Sequence, residues 1–231
     1  MITNESDNIP KEVQIKAIVF DLGGVVFTSG THLTLAKLVE RYHINDRESL
    51  EIFFKSKPYN EGGLLRLGDI SMDEFEKRFF LKFKINENST QVLRNIWFST
   101  YLPYFSMFRI LKMLNKKYRL IAFSGNIKER IIFLDSRYDF LKFFHKTLFS
   151  YDYHYLKTDR EFYNILIAHL HCKPSETLLI DDSFEVIEIA RSLGFHTLLF
   201  LYSEQLIKEL SFYGVIISLE LLDLNSTIKK L

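Results

Sequence analysis

Two acidic sites, each closing a short apolar run, are the residues of this chain best placed to do chemistry. Ala17-Ile18-Val19-Phe20 stops at Asp21 and continues as Leu22-Gly23-Gly24-Val25-Val26. Leu178-Leu179-Ile180 stops in the same way at Asp181-Asp182. Such runs read as buried strands whose carboxyl edge carries the acid, where open α/β sheets bind ligands. Asp21 is therefore placed as a nucleophile. If the two strands are parallel neighbours, three carboxylates converge, and their repulsion is costly unless a cation lies between them. Magnesium suits that position, because it takes hard oxygen ligands and is usually held by one or two carboxylates plus a substrate phosphate. The plain structural alternative concerns Asp182: Glu185 follows it by three residues, as in a capping box that opens a helix.

The elements that must position these acids are legible as an alternation. Strand candidates are Ala17 to Phe20, Leu120 to Phe123, Thr147 to Phe149, Leu178 to Ile180 and Thr197 to Phe200. Helical spacing separates the later ones: Ile127, Ile131 and Leu134; Phe162, Ile165, Leu166 and Leu170; then Val186, Ile189, Ala190 and Leu193, closed by Gly194. This predicts an α/β fold with a doubly wound parallel sheet. From about Thr31 to Phe105 the pattern changes to helix after helix. Leu33, Leu35, Leu38 and Val39 mark one. Ser71-Met72-Asp73-Glu74 reads as a capping box opening another, with Met72, Phe75, Phe79 and Phe83 on one face. Residues 14–30 and 106–231 thus form the expected α/β core, and 31–105 an inserted helical unit with its own aromatic core.

The 231 residues, 47% hydrophobic, can bury a sizeable core. A net charge of +1 creates no long-range field for nucleic acid or an acidic membrane, so any anion site must be local. No apolar run approaches the roughly 20 residues needed to span a bilayer. The single cysteine, Cys172, cannot form an internal disulfide, which fits a reducing compartment. Met1 to Val13 lack the order of a secretory signal, and Lys229-Lys230-Leu231 reads as a solvated tail rather than a peroxisomal address. A cytoplasmic protein is expected. His145, His154, His169 and His171 lack the spacing of a zinc site.

Four segments, in order, resemble the motifs of the haloacid dehalogenase-like (HAD) hydrolase superfamily, over about Lys16 to Phe200. Phe20-Asp21-Leu22-Gly23-Gly24-Val25-Val26 resembles the first, Ile121-Ala122-Phe123-Ser124-Gly125-Asn126 the second, Lys157 the third, and Leu179-Ile180-Asp181-Asp182 the fourth. Gly68-Asp69-Ile70-Ser71-Met72-Asp73-Glu74-Phe75 is similar to a signature of members with a helical first-type cap. The chain looks most like the bacterial sugar-phosphate phosphatases of that group and the phosphatase domain of soluble epoxide hydrolases.

The resemblance implies a Rossmann-like core with a cap, and a phosphatase acting on a small phosphorylated metabolite through an aspartyl-phosphate. Asp21 would be the nucleophile. Asp21, Asp181, Asp182 and the backbone carbonyl of Gly23 would hold Mg2+. Ser124, with the amides of Gly125 and Asn126, would bind phosphate oxygens, and Lys157 would neutralise developing charge. Read alone, Ser124 and Asn126 are N-cap residues and Lys157 a solvated lysine.

The sequence departs from the pattern at Gly23, where the family places an acid/base Asp; that help is typically worth about 10²–10⁴-fold in rate. Thr158, His154 and Val186 also replace a usual proline, a common glycine and a usual Asn or Asp. His32 is a candidate substitute base. The expected activity is thus a slow magnesium-dependent phosphatase. The contrasting expectation is a non-catalytic phosphate-binding or regulatory protein. A dehalogenase, which needs no metal, is disfavoured by the Asp181-Asp182 pair.

Overall fold

The computed structural model describes residues 14–87 and 91–217, so Met1 to Val13 and the Lys229-Lys230-Leu231 tail lie outside the described residues. Five parallel strands form one sheet: β1 (Ala17–Phe20), β2 (Arg119–Ser124), β3 (Lys146–Phe149), β4 (Thr177–Asp181) and β5 (His196–Leu199), in the order β3-β2-β1-β4-β5. All five predicted strands are present; β4 takes in Asp181, and β5 stops one residue before Phe200.

Between β1 and β2 stand α1 (Thr31–Tyr42), α2 (Arg47–Phe54), α3 (Glu61–Leu67), α4 (Met72–Lys82), α5 (Val92–Phe98) and α6 (Phe105–Leu114). Next, α7 (Lys128–Tyr138) joins β2 to β3, and α8 (Ser150–Tyr153) with α9 (Arg160–His169) joins β3 to β4. Then α10 (Phe184–Ser192) joins β4 to β5, and α11 (Ser203–Ser211) follows.

Every residue of β1 and β4 is buried. A central strand covered on both faces needs apolar side chains at successive positions, which is why these runs are continuous rather than alternating. Ile18 and Phe20 pack with Ile110 and Leu111 of α6, Leu134 of α7 and Leu206 of α11. Val19, one residue out of phase, packs on the other face with Phe162 and Leu166 of α9 and Ile187 and Ala190 of α10. Helices therefore cover both faces, the doubly wound arrangement.

The helices after β1 are built around aromatic rings. Phe75 and Phe79 of α4 are fully buried, with Phe53 4.8 Å from Phe75 and Phe54 4.7 Å from Trp97 between ring centroids. The phenylalanine stripe is thus packing. Ser71 caps α4 by accepting a hydrogen bond from Glu74 N at 3.2 Å, one half of the expected box. In α1, Leu38 is buried, but Leu33 is half exposed and does not belong to the apolar face.

The chain enters and leaves this helical layer side by side. Phe27 bridges to Pro103, Thr28 N donates to Leu102 O at 2.8 Å, and Tyr104 N donates to Val26 O at 2.9 Å. A Cβ on Gly30 would fall 2.7 Å from the Thr100 carbonyl carbon, so this close passage requires glycine. Among the described residues, no helix is long and apolar enough to cross a membrane.

Candidate active site

The strand order reverses at β1, with β2 on one side and β4 on the other, and open sheets form a crevice beyond such a switch point. Phe20 is in register with Ile180, so Asp21 and Asp181 leave the sheet at the same level; Asp21 N also donates to Ile180 O at 3.0 Å. Oxygens of Asp21, Asp181 and Asp182 all lie within 4.8 Å of one another. Asp181 is buried, Asp21 half-buried, and Asp182 exposed at the cleft mouth.

Lys157, in the loop between α8 and α9, reaches into this group. Its Nζ lies 3.1 Å from Asp21 Oδ1 and donates to Asp181 Oδ2. Burial opposes its charge, but Asp181 and Asp21 outweigh that and raise its pKa, so Lys157 stays protonated. One ammonium does not balance three acids. Burial raises Asp181 above the usual carboxylate range despite Lys157, with the Asp21 charge adding to the rise. Desolvation by the cleft walls, then the Asp21 charge, pushes Asp182 up to about 6.

Asp182 is not a helix cap. Ser183 occupies the N-cap of α10, and its own backbone N donates to Asp181 Oδ1 at 2.9 Å. The capping-box expectation for Asp182 and Glu185 fails because the helix begins one residue later. The Asp182 carboxylate is left against Gly24, whose φ of +87° brings its backbone so close that a Cβ would fall 1.9 Å from Asp182 Oδ2.

Ser124 closes β2 and is buried; Gly125 and Asn126 follow it before α7. The N-cap of α7 is Ile127, so neither Ser124 nor Asn126 has the capping role open to it from sequence. Asn126 Oδ1 instead accepts from Ile127 N at 2.9 Å and from Arg130 Nε at 2.6 Å. All three residues line one cleft of about 400 Å³ with Asp21, Gly23, Lys157, Asp181 and Asp182. Lys57 and Arg66 from the helical layer, Tyr101, Arg130 and Glu185 also line it.

Gly23 leaves open space in that wall, since a Cβ there would meet only Tyr101 Cε1 at 3.6 Å. His32 does not fill it. The histidine is exposed and lines a separate groove with Arg47 and Glu51, so the candidate substitute base lies outside the cleft lining. The remaining histidines are dispersed: His145 Nδ1 accepts from Leu120 N, His154 Nδ1 lies 3.2 Å from Asp69 Oδ1, and His169 Nδ1 is 2.8 Å from Ile165 O. His154 has φ +59°, which explains why glycine suits that position. Val186 is buried against the sheet and offers no polar support to the acids.

Several cleft residues escaped sequence reasoning, Arg66, Arg130 and Tyr101 among them. Arg66 interrupts the apolar run Leu64-Leu65-Arg66-Leu67, a signal that was available; Arg130, in Lys128-Glu129-Arg130, reads as a solvated first turn and carries none. Tyr101 stands outside any motif.

A sequence profile described as haloacid dehalogenase-like hydrolase matches residues 15–194. An uncharacterised protein of Dictyostelium discoideum is 30% identical over 167 residues, 70% of this chain and 69% of that protein. A HAD-like family hydrolase from Porphyromonas gingivalis has a similar structure, with a TM-score of 0.71 at 25% identity, over 86% of this chain and 97% of that one. A HAD family enzyme from Bacteroides thetaiotaomicron, in complex with magnesium and inorganic phosphate, shares the fold at TM-score 0.64 and 21% identity, over 80% and 93% of the chains. So does L-2-haloacid dehalogenase from Xanthobacter autotrophicus with chloropropionic acid covalently bound, at TM-score 0.59 and 20% identity, over 89% and 86%.

Proposed function

This chain belongs to the haloacid dehalogenase-like hydrolases, and from that premise we propose that it is a magnesium-dependent phosphatase of a small phosphorylated metabolite, working through an aspartyl-phosphate. The observation that carries this reading is the meeting of Asp21 with Lys157, Asp181 and Asp182 at the carboxyl ends of adjacent strands. The magnesium and inorganic phosphate bound by the Bacteroides enzyme support the same choice of cofactor and substrate class.

The donor set suits the ion: three carboxylates within 4.8 Å offer hard oxygens, and Lys157 leaves two of them under-neutralised. Asp21, Asp181, Asp182 and the Gly23 carbonyl would hold it. When bound, magnesium would supply positive charge that offsets the negative charge of the carboxylates and of a phosphate.

In the first step an Asp21 oxygen forms a bond to phosphorus while the ester P–O bond breaks, and the leaving alkoxide takes a proton from water. In the second, water attacks phosphorus, the P–O bond to Asp21 breaks, and phosphate departs with the carboxylate restored. Lys157 orients Asp21 and offsets charge on the phosphoryl oxygens, while the Ser124 hydroxyl and the Gly125 and Asn126 amides receive those oxygens. Residues 31–105 act as a cap over residues 14–30 and 106–231, a division supported by the paired crossings at Phe27–Pro103 and by Lys57 and Arg66 in the cleft wall. The lone thiol of Cys172 supports a cytoplasmic setting.

Gly23 favours a second reading, a phosphate-binding protein without turnover, because no acid or base stands where both steps would use one. A screen of sugar, nucleotide and aryl phosphates for phosphate release, with and without magnesium, decides between them. Release that requires magnesium supports the phosphatase. Binding of phosphate without release from any ester supports the second reading, and halide release from a haloacid without magnesium would overturn both.

A further inference from the structure

Among the described residues, two buried arginines line the cleft without an ion-pair partner. Arg66 on α3 is 8% exposed and Arg130 on α7 is 2% exposed. Nη1 of Arg66 donates to the carbonyls of Phe54 at 3.1 Å and Gly62 at 2.7 Å. Arg130 donates from Nε to Asn126, but its Nη1 is buried and meets no acceptor. Among the described residues, neither guanidinium forms an ion pair.

Aromatic packing does not account for this arrangement. The two guanidinium carbons lie 5.8 Å and 5.2 Å from the same Trp97 ring, and that of Arg130 lies 3.9 Å from the Tyr101 ring. Cation–π contacts offset only part of the cost of withdrawing an unpaired ion from water. Burial, then repulsion from Arg130, lowers Arg66 to about 10, and burial lowers Arg130. The same helical layer treats its buried acid differently: Glu76 is fully enclosed and accepts from Arg94 Nε at 3.2 Å and 3.1 Å. Among the described residues no carboxylate forms an ion pair with Arg66 or Arg130, which leaves both open to an anion that enters the cleft.

Arg130 lies near enough to feel the Asp21 charge, whereas Arg66 belongs to the layer covering the strand ends. Exposed Lys57 lines the same wall. We propose that Arg66 and Arg130 form a second anion subsite, so that the substrate is a phosphomonoester carrying a further carboxylate or phosphate, held away from the phosphoryl group that Asp21 attacks. The substrate part of this inference rests on the phosphatase reading; the subsite itself does not.

The test uses three matched sets of probes with magnesium: n-alkyl phosphates, ω-phosphooxy carboxylic acids and α,ω-alkanediyl bisphosphates of the same chain lengths. At one length, a doubly anionic probe should exceed its alkyl counterpart at least about tenfold in kcat/KM, as charge-assisted hydrogen bonds give. The better series identifies the second group as carboxylate or phosphate. In Arg66→Gln that ratio should fall below about threefold and in Arg66→Lys recover in part, with melting curves reporting whether each variant folds. A parent ratio under about threefold for both series, or equal losses on all three sets in Arg66→Gln, overturns the subsite. Calorimetric binding of the same probes to the parent chain and to Asp21→Asn gives the ratio independently of turnover. Preference in binding with no release of phosphate would keep the subsite and refute the phosphatase.

Discussion

Gly24 and Asp182 share a space that only one of them can fill: a Cβ on residue 24 would sit 1.9 Å from Asp182 Oδ2, at a φ of +87° that L residues rarely adopt. The glycine therefore sets where the Asp182 carboxylate lies. Gly24→Ala should destabilise the fold by about 1–2 kcal/mol through its backbone. It should also remove most of the rise in melting temperature that magnesium gives the parent, since that rise reports binding to the folded state. A variant that melts lower but keeps the full magnesium shift would separate Asp182 from the ion.

One residue earlier the geometry is opposite. Gly23 has a φ outside the left-handed range, and a Cβ there makes only an ordinary contact with Tyr101 at 3.6 Å. Gly23→Asp should fold and supply the missing acid and base. Steady turnover should rise about ten- to hundredfold, less than a fully placed group provides, and alkyl phosphates should gain more than aryl ones, whose leaving group needs no proton. Unchanged rates on both classes, in a variant that binds magnesium normally, would show that another group already serves.

The raised carboxyls make the metal-free protein sensitive to pH. An acid whose folded pKa exceeds its unfolded value near 4 stabilises the fold at low pH, and that contribution is lost as pH rises through its folded value, about 6 for Asp182. Asp182→Asn should therefore gain stability relative to the parent as pH rises from about 4 to about 7. Solvent at the cleft mouth screens this group, so the expected difference in melting temperature is only about 2–4 °C. Magnesium should reverse the order by stabilising the parent alone. A difference between the two proteins that does not vary with pH would mean Asp182 is not held near the other charges.

The strands and the acids at their ends were legible because burial on both faces leaves a distinct trace, an apolar run stopped by a carboxylate. Burial of Phe75 and Phe79 followed from their helical spacing in the same way. Direction was not legible. His32 follows the first motif closely in sequence, yet α1 presents it to another groove, because spacing along a helix does not say which face meets the sheet edge. Asn126 was expected to contribute its backbone amide; that its side chain also accepts from Arg130 is a tertiary contact with no local signature. Asp182 lost its capping role to Ser183 through a one-residue shift of the helix start, the kind of boundary that local pattern fixes poorly.

The central claim is that Asp21 becomes phosphorylated, and trapping that species tests it most directly. With Gly23 in place the second step lacks a base, so mixing the protein with magnesium and an activated aryl phosphate should give a burst of phenol of about one per chain, then a slow steady rate. Acid quenching during the burst, followed by peptide mass spectrometry, should find one phosphoryl group on Asp21, and Asp21→Asn should show neither burst nor label. Magnesium-dependent phosphate release with no label on Asp21, and with comparable activity in Asp21→Asn, would contradict the account.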